Sequence, residues 1–111
     1  MARPRVHDPD RLLDATERLA VDSGPSTVTV RAISELTAVS NGAIYHAFGS
    51  RAGLVGRAWL RAARRFLDIQ NALVEAALGA GQGPEAAVDA VVAAAEAPGR
   101  FMTDHPIAGR F

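Results

Sequence analysis

The sequence predicts an all-α fold. Three observations carry that expectation: apolar residues recur at three- and four-residue spacing in one segment after another, the breaks between segments hold helix caps and helix stops, and no stretch alternates convincingly as a strand. The chain has 111 residues, 49% of them hydrophobic and 22% charged, the balance of a helix-rich globular protein and not of a disordered one. No run approaches the roughly 18 apolar residues that a membrane span needs. The start, MARPRVHDPD, is polar and has no apolar leader, so a cytoplasmic protein with no membrane partner is expected. The absence of Cys excludes disulfides, thiolate metal sites and a cysteine nucleophile.

Each element follows from local chemistry. Asp8-Pro9 reads as a cap followed by proline at the first helical position, where a missing N–H costs nothing. Leu12, Leu13, Ala15, Thr16, Leu19 and Ala20 fall near one stripe of this first helix, with Asp14, Arg18 and Asp22 opposite, and Gly24-Pro25 ends it at about residue 23. Thr29 caps a second helix from Val30 to about Thr37, with Ile33 and Leu36 pointing inward. After the turn Ala38-Val39-Ser40, Ser40 caps a third helix from Asn41 to about Ala47, with Ile44 buried and Phe48 closing the unit. The spacing of Ile33, Val39, Ile44 and Phe48 suits two short helices crossing steeply about a tight turn.

Ser50 caps a long fourth helix with no breaker until Gly79, its apolar face formed by Val55, Trp59, Ala62, Phe66, Ile69 and Leu73. Residues 79–84, GAGQGP, read as a loop; Glu85 to Ala97 reads as a helix broken by Pro98-Gly99, followed by a connection and a new helix near Pro106.

The net charge of zero conceals an asymmetry. Residues 1–65 hold ten arginines against six acidic groups, a net +4, and residues 66–111 hold two against six, a net −4. A basic front and an acidic rear suggest that one end meets a polyanion. His7, His46 and His105 lie far apart with no ligand spacing, and there is no nucleophile elbow, paired carboxylate face or phosphate-cradling glycine loop. Neither an enzyme, a cofactor nor a metal site is expected.

The segment from Leu12 to Trp59 carries Gly24 ending the first helix, Thr29-Val30-Arg31-Ala32-Ile33 opening the second, Val39-Ser40 before the third, Ile44-Tyr45-His46 with Phe48, and Ser50-Arg51 opening the fourth. In that order these features resemble the DNA-binding domain of the tetracycline-repressor (TetR) family. The resemblance implies a three-helix, homeodomain-like helix-turn-helix head, then a long helix and the beginning of a helical ligand-binding and dimerisation domain. The corresponding layout is a flexible basic arm at 1–7 with Arg3 and Arg5, a DNA-binding domain at 8–50, and a connecting helix with an incomplete helical domain at 51–111.

In a helix-turn-helix the second helix of the pair enters the major groove with its leading turn at base edges, while the preceding helix lies across the backbone. Asn41 offers a donor and acceptor pair suited to adenine, Gly42 permits close approach, and Ala43 presents a methyl to a thymine methyl. Thr29, Tyr45 and Arg51 resemble the family's phosphate-clamping positions. Ser40 joins them at the third helix's start, Arg31 reaches a phosphate or a base edge, and His46 is a phosphate contact or a solvated side chain. Capping alone also accounts for Thr29 and Ser40. The sequence departs from the family pattern at Ala20, usually a large aromatic; at Ala38, usually glycine; and at Asn41 and Arg51, usually lysine.

The resemblance further implies a double-stranded DNA operator, a homodimer for a full-length form, a small-molecule effector whose site the sequence does not locate, and repression relieved by that effector. Five residues into the helix near Pro106 the sequence ends, so a truncated regulator is expected. The alternative is a truncated helical interaction module without specific DNA binding, suggested by the apolar face of the fourth helix.

Overall fold

The computed structural model describes residues 8–111; the basic arm expected at 1–7 lies outside the described residues. These residues form six α-helices and no strand: α1 (Pro9–Ser23), α2 (Val30–Thr37), α3 (Asn41–Phe48), α4 (Arg51–Gly79), α5 (Gly83–Asp104) and α6 (Pro106–Arg110), with a short 3-10 turn at Pro25–Thr27. The described residues divide into two compact units, one at residues 8–60 with Phe111 and one at residues 61–110.

In the first unit every helix start is secured by a side chain. Asp8 accepts from the Asp10 amide at 2.9 Å, Thr29 from Ala32 at 3.0 Å, Ser40 from Ala43 at 3.1 Å and Ser50 from Gly53 at 3.0 Å. Gly24 ends α1 at φ 95°, donating its N–H to the Ala20 carbonyl. Leu12, Ile33, Ile44 and Leu54, one from each helix, are fully buried and meet with Val28 and Val39 in a single core, against which Phe48 packs. Burying each such side chain contributes about 1.5–3 kcal/mol. Thr16, buried among them, returns its hydroxyl to the Leu12 carbonyl at 2.8 Å.

Leu36 does not point inward as expected; it is 61% exposed. The buried face of α2 runs through Val30, Ile33 and Thr37, at three- and four-residue steps, and Leu36 falls one position off it. The turn between α2 and α3 is tied by two hydroxyls: Thr37 donates to the Ile33 carbonyl at 2.7 Å, and Ser34 donates to the Val39 carbonyl at 2.5 Å. Between them Ala38 adopts φ 59° and ψ 23°, the left-handed conformation in which a Cβ is strained by about 1–2 kcal/mol.

In the second unit the expected break at Pro98-Gly99 is absent. The α5 helix begins at Gly83, not Glu85, and passes through Pro98 to Asp104, so the loop before it shrinks to residues 80–82 and the supposed connection is helical. Pro84 sits in the first turn, where no N–H is required. Pro98 has no N–H for the Ala94 carbonyl, and the Gln70 side-chain amide donates to that oxygen instead, at 3.2 Å. An edge-on contact between Phe66 and Phe101, with ring centroids 5.7 Å apart, packs the rear of α4 against α5. Trp59, expected on the buried stripe of α4, is 58% exposed; Leu54 and Ala58, a residue earlier at each turn, are buried in its place. The α6 helix opens at Pro106 as expected.

Two predictions follow from these bonds. Ala38→Gly raises the unfolding free energy by about 0.5–1 kcal/mol, strain relief outweighing the added freedom of the unfolded chain; a lower urea midpoint would contradict this. Gln70→Met costs about 1 kcal/mol in the native sequence and almost nothing beside Pro98→Ala, whose restored N–H takes over the Ala94 carbonyl. Equal costs in both backgrounds, read by urea denaturation, would refute the substitution of donors.

Candidate nucleic-acid interface

Eight residues give α3 a length of about 12 Å, enough to lie in a groove and touch only a few bases. Its inward side is Ile44, helped by half-buried Ala43, Ala47 and Phe48. Its outward side is Asn41, Gly42, Tyr45 and His46, which form two i, i+4 pairs on adjacent rows. Tyr45 is 51% exposed, so its ring is not a core element. Ala43 differs from this set in being half-buried and packed against the head core.

Gly42 shares its open setting with Gly56 and Gly99 of the longer helices and differs from them in lying on the leading turn of α3. A Cβ built there meets no protein atom within 4 Å, and no positive φ calls for glycine. Within a helix that glycine costs about 1 kcal/mol relative to alanine, with no packing gain to offset it. Gly53, which motif reasoning passed over, is the opposite case: a Cβ there would collide with the Phe48 carbonyl oxygen, so its absence lets the first turn of α4 close onto the end of α3. A glycine inside a helical pattern was the available signal.

Thr29 and Ser40 are exposed caps at the starts of α2 and α3. Each hydroxyl accepts from an amide, which leaves its own proton to donate outward. Arg31 lies 3.5 Å from Glu35, with side chains 85% and 71% exposed; such an i, i+4 pair contributes at most about 0.5 kcal/mol and yields readily to a phosphate. Arg57 lies over the Phe48 ring, 5.5 Å from its centroid.

Arg51 is placed differently from the other residues proposed from the sequence. Although exposed as a residue, it turns its guanidinium back onto the chain: Nε donates to the Val28 carbonyl, and Nη2 to the Pro25 carbonyl at 2.9 Å. Those carbonyls lead directly into Thr29. The bonds join the start of α4 to the segment that opens α2, a connection across more than twenty residues that no spacing rule reveals. Ser34 and Thr37, which fix the turn ahead of α3, were also missed; two hydroxyls three residues apart beside a turn were their only trace.

Among the described residues no group of three or more His, Asp or Glu side chains is arranged to hold a metal ion. No helix there is long and apolar enough to cross a membrane.

Residues 12–58, which contain this face and the helices that carry it, match the family model described as bacterial regulatory proteins, tetR family. Comparison with curated proteins and with solved structures gives no significant match. The matched segment runs from the first core residue of α1 to Ala58 in α4 and includes every cap and turn that shapes the exposed side of α3. Residues 12–58 thus carry the N-terminal helix-turn-helix domain of the tetR family of DNA-binding bacterial regulatory proteins.

Proposed function

We propose that the protein is a sequence-specific transcriptional repressor, cytoplasmic and homodimeric, that is released from its operator by a small-molecule effector. The observation that carries the sequence-reading part is the outward face of α3, where an exposed Asn41 and Tyr45 flank a Gly42 that nothing inside the fold requires.

On this reading α3 lies in the major groove with Asn41 at a base edge, accepting from and donating to an adenine. Tyr45, Thr29 and Ser40 donate hydroxyl protons to phosphates, and Arg31 exchanges Glu35 for a phosphate. His46, on the row beside Tyr45, lies at the edge of the same contact. These bonds fix register, while Asn41 supplies discrimination. A helix of two turns reads too few base pairs to single out one site, which supports two heads on successive major grooves, about 34 Å apart. An effector that alters that separation weakens both contacts together.

Expected outcomes follow for a fluorescent duplex selected from a random pool by the native chain. Gly42→Ala weakens binding about tenfold, the scale of one displaced base contact, while thermal stability holds or rises. Tyr45→Phe weakens binding to all sequences alike, and Asn41→Ala relaxes preference at one base position. Native affinity in both Gly42→Ala and Tyr45→Phe, read by fluorescence anisotropy at fixed salt, would overturn the assignment of this face.

A further inference from the structure

We infer that Arg51 is a positioning residue, which sets the distance between the starts of α2 and α4 and thereby holds Thr29 in line with the DNA backbone. The inference rests on the DNA-binding reading above. It differs from the sequence expectation for Arg51, in which the guanidinium itself is the phosphate ligand.

The geometry is specific. Pro25–Thr27 forms a tight 3-10 turn whose own bonds run from Val28 N to Pro25 O at 3.2 Å and from the Thr27 hydroxyl to Gly24 O at 2.6 Å. Arg51 closes the open side of that turn by donating to two carbonyls at once, Val28 and Pro25. Val28 is buried at 1% exposure, so its side chain anchors the segment in the core while its carbonyl is anchored to α4. The next residue is Thr29, whose Oγ1 caps α2. On the other side, Arg51 is the first residue of α4, immediately after the Ser50 cap. One planar side chain thus bridges the first turn of α4 and the segment that leads into Thr29.

Arginine suits this task because its donors are fixed in a plane and spread apart, whereas a lysine ammonium is a compact donor on a flexible stem. Arg51→Lys therefore keeps the charge and loses the double attachment. A phosphate ligand would tolerate that change; a two-carbonyl brace would not.

The test uses the same selected duplex. Selection of no duplex by the native chain would remove the DNA-binding reading itself; the remaining outcomes bear on Arg51 alone. Arg51→Lys and Arg51→Gln are both expected to weaken binding about tenfold, the scale of one lost charge-assisted hydrogen bond at Thr29. The slope of log affinity against log salt should stay the same in both, since no phosphate partner is removed. In a Thr29→Ala background, Arg51→Lys should add no further loss. Native affinity in Arg51→Lys, a salt slope smaller by about 0.9 in Arg51→Gln, or additive losses with Thr29→Ala would each overturn the inference. A measurement on the native chain covers variants that fail to fold: the Arg51 Nε–H should remain equally protected from solvent exchange with and without DNA, and loss of its bond to Val28 on DNA addition would overturn the inference as well.

Discussion

Two helices of eight residues are too short to persist in water unaided, and the candidate interface depends on what holds them. That constraint is met by Ile33 and Ile44, one per short helix, which are fully buried against Leu12 of α1 and Leu54 of α4. Everything on the outward side of α3 is positioned by this inward contact. Because each short helix contributes about two turns, its few buried residues, led by Ile33 in α2 and Ile44 in α3, set its rotation and so decide which side chains remain outside. Asn41, Gly42, Tyr45 and His46 face outward because Ile44 faces inward.

The hydroxyl groups of the head serve the same constraint from the ends. Thr29, Ser40 and Ser50 each satisfy an amide that a short helix cannot satisfy internally, and Ser34 and Thr37 tie the turn that joins α2 to α3. A cap also leaves a hydroxyl proton at the start of a helix, where amide dipoles favour an anion. On the proposed reading, stability and phosphate recognition draw on the same atoms, so cap chemistry alone cannot separate them. The strained Ala38 in the turn shows how firmly the surrounding bonds impose this geometry.

Much of the head was legible because its signals are local. Asp8-Pro9, Gly24, Thr29, Ser40 and Ser50 mark helix ends by chemistry that acts within four residues, and α1 to α4 begin where these residues indicate. Expectations failed where a partner distant in sequence decides the outcome. The break expected at Pro98 is absent, and Gln70 takes up the Ala94 carbonyl there; Trp59 and Leu36 lie outside because the residues buried beside them fall one position away from those that periodicity favoured. For the site, caps and the exposed face of α3 could be read from spacing, while the inward turn of Ala43 and the brace of Arg51 could not: both depend on the crossing of helices, not on the pattern along one of them.

The proposed DNA-binding surface is made of the outward side of α3 with the starts of α2 and α4. Backbone amide chemical shifts recorded while a selected duplex is added test it most directly. The largest changes are expected at Thr29, Asn41, Gly42, Tyr45, His46 and the amides following Ser50, with the α5 amides unmoved. Changes centred on α5, or none at α3 under saturating DNA, would contradict it.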